Sequence, residues 1–203
     1  MACGLALLAS GQSFATDYYS TGNIVDGDLT NGTKWMLNSP LCGAGGTAGT
    51  GTIAMGVTDF LIVCPGHSLN TGATLTAGKL VFDGTGAGGA WGGTALKFSA
   101  ASNKQIFNSN TSLSSIALDI SSMTNGNAIT IAAMGEPVTF SGVTGGSLSC
   151  TPVGGTAAAY TPGNPIAAGT SCIVTVTGGG GGTVSAPIFS TKEKSAVFSE
   201  EVK

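Results

Sequence analysis

The chain has 203 residues, a formal net charge of −3, 34 glycines, only 8% charged residues and a mean hydropathy of +0.34. All seven cations are lysines, so the basic footprint that neutralises nucleic-acid phosphates is missing. The apolar balance excludes a polar disordered chain, and no stretch approaches the ~20 apolar residues of a membrane-spanning helix.

Met1–Ala15 join an apolar stretch, Ala2–Ala9, to the small-x-small sequence Ser13-Phe14-Ala15, which predicts a cleaved signal peptide over 1–15. The usual positive start of such a peptide is missing, since the first lysine is Lys34. Cys3 would leave with the peptide. The other four cysteines form two pairs of equal spacing, Cys42 with Cys64 and Cys150 with Cys172, each 22 residues apart. An even set predicts two disulfides and an extracellular or cell-surface location. Four cysteines allow three connectivities, and the equal spacing favours Cys42–Cys64 and Cys150–Cys172.

A main β domain is expected over 16–135. Short β-type runs recur at Thr52–Met55, Asp59–Cys64, Ala73–Thr76, Lys79–Asp83, Thr94–Ser99, Lys104–Phe107, Ser114–Ile120 and Ala128–Ala132. Further runs follow at Pro137–Ser141, Ser147–Cys150, Ser171–Thr177 and Thr183–Phe189. Ile129 and Ile131 alternate with Thr130, and Val174 and Val176 with Thr175, the period of a strand with one apolar face. Gly, Asn, Ser and Pro clusters punctuate the runs. These features predict an all-β chain, first an antiparallel β-sandwich of jelly-roll or immunoglobulin-like type. The alternative is a parallel β-solenoid, because Thr74–Gly142 stacks short strands with polar turns.

A soft boundary falls at Gly135-Glu136-Pro137, and 136–177 is expected to be a β segment continuous with the main domain or separate from it. Within it, Cys150 is followed by a small-residue loop with a Pro/Gly turn and then by Gly169, Thr170, Ser171, Cys172, Val174 and Val176. This pattern, over about 137–177, resembles the end of bacterial extracellular immunoglobulin-like surface domains. The resemblance implies an adhesive or surface module without chemistry of its own. The aromatic residue that follows the last strand in that family is replaced here by Gly178–Gly182.

Five consecutive glycines predict a hinge, and 178–203 reads as a glycine hinge with a charged tail. Lys192, Glu193, Lys194, Glu200, Glu201 and Lys203 crowd its end. The tail is expected either to be solvated or to pair through Thr183–Phe189 with the sheet edge of a neighbouring subunit. The arm Thr16–Thr30 is a second candidate for such pairing.

Candidate chemistry is sparse. His67, the single histidine, sits in Cys64-Pro65-Gly66-His67 and is expected to be a turn residue. Gly84–Gly89 matches G-x-G-x-x-G, but the following Ala90-Trp91-Gly92-Gly93 cannot open the helix a dinucleotide site requires. Gly72–Lys79 is one residue too long for a P-loop. Asp26 and Asp28, followed by Asn31-Gly32, alternate as calcium ligands do; a plain Asx turn is the preferred reading and no cofactor is expected, with calcium the one candidate. Asp26, Gly27, Asp28, Thr33 and Trp35 also resemble the early loop of calcium-containing galactose-binding jelly rolls. Trp91, flanked by glycine pairs, is the candidate ligand contact for a glycan; Trp35, Tyr18, Tyr19 and Tyr160 are expected to belong mostly to the core. Asp59, Asp83, Asp119 and Glu136 are too scattered in sequence to nominate a catalytic pair.

The sequence therefore predicts a non-catalytic extracellular structural or adhesive protein, a subunit of a filament, pilus, matrix or surface layer joined by β-sheet contacts. The alternative is a secreted carbohydrate-binding module, calcium-dependent through Asp26 and Asp28.

Overall fold

Alternating side chains decide which way each strand faces. In KLVF and KQIFN every second residue is buried, and the two runs lie side by side in parallel register, so their buried residues sit directly above one another. The computed structural model describes residues 15–38, 42, 46–83, 89–99, 102–108, 113–132 and 136–177. Apart from Ala15, the expected signal peptide lies outside the described residues, as does everything from Gly178.

The described chain is all-β. Its first turn holds β1 (Asp17–Ser20) and β2 (Ile24–Val25), then a 3-10 turn at Gly32–Lys34, β3 (Trp35–Leu37) and β4 (Thr47–Ala48). The second turn is β5 (Phe60–Val63), β6 (Ser68–Asn70) and β7 (Thr74–Leu75). The third is β8 (Lys79–Phe82), β9 (Ala90–Trp91) and β10 (Leu96–Phe98). The fourth holds β11 (Lys104–Asn108) and β12 (Ile116–Asp119), and the fifth β13 (Ala128–Ile131) and β14 (Val138–Thr144). The chain then folds back through β15 (Gly146–Thr151), β16 (Ala158–Ala159), β17 (Pro165–Ile166) and β18 (Ser171–Val176).

Successive turns contribute to the sheets in the same order, the first turn adding no strand to the third sheet and the fourth and fifth none to the second. The first sheet stacks β1, β5, β8, β11 and β13 in parallel; the second stacks β2, β6 and β9; the third stacks β7, β10, β12 and β14. Antiparallel pairing, expected throughout, is found at the two ends. There β3 and β4 extend the first sheet on one side, β18, β15 and β16 extend it on the other, and β17 pairs with β14. The reason is spatial: parallel neighbours need a crossover connection, and here each strand comes to lie beside its predecessor only after a circuit through another sheet.

Register turns the sequence alternation into rows. Tyr18, Leu61, Leu80, Ile106 and Ile131 align across the first sheet and all face the interior. Val63 and Phe82 form a second row, and Leu96 and Leu118 a third on the opposite sheet. Together with Trp35, Phe98, Ile116 and Phe140 they make one apolar cluster. Each fully buried side chain of this size is worth about 1.5–3 kcal/mol relative to exposure. Close stacking at the corners demands glycine: a Cβ on Gly78 would lie 2.1 Å from the Val57 carbonyl oxygen of the turn below.

Two sequence expectations change here. Thr52–Met55 is a loop with a single bridge, Asn31 to Thr52, because Ile53 N–H donates to Thr30 O and pins the run to the preceding turn. The arm Thr16–Thr30 is no free donor strand, since β1 lies between β3 and β5 with Tyr18 and Ser20 buried. Segment 136–177 shares both large sheets with the preceding turns through β12–β14 and β13–β18.

Candidate functional site

The Asp26–Asp28 loop leaves β2 and is stapled to the core by Trp35, whose indole N–H donates to the Asp28 carbonyl oxygen at 3.1 Å. Trp35 is fully buried and meets Tyr18 edge-on at 6.5 Å between ring centroids. Asp26 Oδ1 accepts from the Thr71 hydroxyl at 2.8 Å and from Gly72 N–H at 2.7 Å. Those bonds, led by the Thr71 hydroxyl, hold the Asp26 carboxyl below its ordinary range. Asp28 Oδ2 accepts from Val25 N–H at 3.1 Å and lies 3.4 Å from Lys34 Nζ. Asp26 thus braces two neighbouring turns, and Asp28 braces its own loop. Among the described residues no group of three or more His, Cys, Asp or Glu side chains converges as a cation would require.

Trp91 extends an interior row. It is in register with Leu69, which is in register with Ile24; both are fully buried, and Trp91 is partly buried against the same core. Its ring lies over Gly93, where a Cβ would come within 2.6 Å of Cζ2. Gly93 thus makes room for the ring, while a Cβ on Gly89 or Gly92 would meet Val63 or Asn70 instead.

His67 closes a Pro-Gly turn: its N–H donates to Cys64 O at 3.0 Å, and Gly66 takes φ +78°. Its side-chain partner comes from a distant strand and has no signature in the sequence. Ser20 Oγ lies 2.9 Å from His67 Nδ1 and accepts from Cys64 N–H at 2.9 Å. The contact has the distance of a nucleophile–base pair. Ser20 is only 4% exposed, however, and its oxygen is engaged by Cys64, so the pair ties β1 to the corner after β5. Asp59 Oδ1 accepts from Thr16 N–H and Oδ2 from Gly56 N–H, at 2.9 and 2.6 Å, and Asp119 Oδ1 accepts from Ser121 N–H at 2.9 Å.

Both disulfides join the cysteines that equal spacing favours, Cys42 with Cys64 and Cys150 with Cys172. Cys64 follows β5, while Cys150 and Cys172 are directly opposite on β15 and β18.

The least expected group is Lys104. It opens β11 in the inward phase shared by Ile106, and it is fully buried. Its Nζ donates to Thr76 O at 2.8 Å and Ala77 O at 3.2 Å, with Ser99 Oγ at 3.5 Å. Gln105 pairs with Lys79, which sets Lys104 beside Gly78 and its ammonium within reach of the two carbonyls just before that glycine. Burial pushes its pKa down to about 8. The ammonium bridges neutral oxygens of two successive turns.

Comparison of the chain with protein-family models, with curated proteins and with solved structures gives no match.

Proposed function

We propose that this protein is a non-catalytic extracellular structural or adhesive subunit, built as a parallel β-solenoid whose ends are antiparallel. The observation that carries the reading is a first sheet of ten hydrogen-bonded strands running from β4 to β16. The polar side chains with most chemical potential, His67, Asp26, Asp28 and Asp59, meanwhile brace that stack's own turns. Such a ladder supplies length and stiffness, as solenoids do when each turn contacts only its neighbours. The two disulfides fit an oxidising compartment. Among the described residues no helix is long and apolar enough to cross a membrane. A surface with few charges has little self-repulsion, which favours association, and the immunoglobulin-like pattern of 137–177 supports an adhesive setting.

Negative-stain electron microscopy of the secreted chain, with light scattering across a concentration series, tests the reading. Regular filaments or sheets are expected. A monomer at every concentration, combined with saturable glycan binding, would replace it with the carbohydrate-binding module.

A further inference from the structure

The third sheet has an open edge. Its last strand, β7, has β10 as its only neighbour among the described residues, because after β2 the first turn leaves for the 3-10 turn and β3. Ser99 N–H donates to Leu75 O at 2.9 Å. In a parallel ladder alternate residues turn their amide groups to opposite sides, so Thr74 turns its own toward the open edge. Beside it lies a hollow of about 220 Å³ lined by Leu29, Thr30, Met55, Thr74 and Leu75 among others, none of them charged.

We infer that this edge and hollow accept Thr183–Phe189 of a second copy as an added strand. The inference rests on the assembly reading above and names the contact that makes it. The segment TVSAPIF is uncharged, like the hollow, and Val184, Ala186 and Ile188 share one face when it is extended. With those three residues turned to β7, Pro187 presents its missing N–H to the outer side, where no partner is needed.

The position of the described C-terminus argues for a second copy over the same one. Thr177 follows β18 and donates its N–H to Gly145 O at 2.8 Å. From β18 a strand beyond β7 is five ladder steps away, counted through β13, β11, β8 and the turn of β5. At ~4.8 Å per step that is roughly 24 Å. From Thr177 to Thr183 the chain takes six steps and can span at most about 22 Å, before any lateral distance between the sheets is added. Donor and acceptor therefore belong to opposite ends of the stack, an unlike pairing that propagates into an open filament.

Full-length mature chain carrying Thr74→Lys, which charges an exposed edge position, or Met55→Trp, which fills the hollow, is compared with Ile188→Asp. Each variant is expected to raise the critical concentration for filaments at least tenfold while keeping both disulfides and the wild-type melting temperature. Mixing an edge variant with Ile188→Asp should give discrete heterodimers, since only one donor and one acceptor remain intact. Wild-type filaments that survive all three substitutions would overturn the groove and leave the assembly reading standing. A wild-type chain that never assembles would overturn the assembly reading itself. Variants that each lose filaments but do not pair on mixing would overturn the second-copy assignment.

Discussion

Between Phe60 and Thr144 the strands are parallel and each finds its partner one circuit of chain away; between Gly146 and Val176 they are mainly antiparallel and the pairing is local. The coil is held by rows of aliphatic and aromatic side chains, with polar groups confined to its corners and the Lys104 bridge. The C-terminal end has six registered pairs between β15 and β18, a disulfide across one of them, and a tyrosine that joins three backbone groups. Where closure entropy must be repaid over a whole circuit, packing has to supply the return. Where the chain folds straight back, covalent and hydrogen-bond clamps suffice. Changes in packing should therefore act mainly on the coil and changes in clamps mainly on the end.

The largest effect is expected from Phe82→Ala. Phe82 is fully exposed to its apolar neighbours and hidden from water, in register with Val63 below it. Truncation leaves a cavity costing about 3–5 kcal/mol, measured as a fall in the urea midpoint at constant m-value. Hydrogen exchange should accelerate in β5, β8 and β11 together, because each is a neighbour's only support on one side. Next comes removal of the Cys150–Cys172 bridge by double substitution to Ser, which should cost about 3 kcal/mol for a loop of this length. Its exchange should speed up in β15, β16 and β18 while β8 keeps its protection. Equal acceleration in both regions would show that the two ends of the comparison unfold as one unit.

Lys104 sharpens the comparison through pH. Its folded-state pKa, about 8, lies below the ordinary 10.5. Below pH 8 both states carry the proton, and the cost of holding a buried ammonium is present in full. Between pH 8 and 10.5 the unfolded chain binds more protons than the folded one, so stability should rise with pH by roughly 2–3 kcal/mol. The Lys104→Met variant should lack that rise and be the more stable of the two at pH 7. The quantity to follow is the difference between the two stabilities against pH, which cancels the titration of the other lysines and tyrosines. A flat difference would mean that water reaches the ammonium.

Much of this architecture is legible in the alternation of apolar residues. The runs at Asp59–Cys64, Lys79–Asp83, Lys104–Phe107, Ala128–Ala132 and Ser171–Thr177 each match an observed strand to within one residue at either end. Alternation says which residues share a face, but it is the same for parallel and antiparallel neighbours, so the direction of pairing stayed open. The two-residue strands β2, β4, β7, β9, β16 and β17 are mostly too short to show any period and exist because the turns beside them stack. Lys104 was readable in principle, since it shares the phase of Ile106; its charge argued for solvent, and the acceptors that let it turn inward, Thr76 O and Ala77 O, lie far away in sequence. Trp91 is partly buried in line with Leu69 and Ile24, a row that the glycines beside it in sequence do not reveal. Ser20 and His67 meet only because β1 and β5 are neighbours, a contact that spacing cannot reveal.

The smallest expected effect separates the clamps at the C-terminal end from one another. Tyr160 follows β16, and its hydroxyl accepts from Phe140 N–H at 3.0 Å while lying 3.0 Å from Phe140 O and 2.9 Å from Asn164 O. Its ring meets Phe140 edge-on at 6.0 Å between centroids. The side chain thus ties the loop of β16 and β17 to β14, and so joins the local end to the last turn of the coil. Tyr160→Phe keeps the ring contact and removes the hydroxyl, leaving the Phe140 N–H without that acceptor. The cost should be about 1 kcal/mol, the usual net worth of such a bond, seen as a shift of a few degrees in melting temperature. Exchange should quicken at Phe140 and in 158–164 and leave the β15–β18 ladder as it was. If the ladder loosened as well, the disulfide would not be holding that hairpin independently, and the local clamps would have to be treated as one cooperative group.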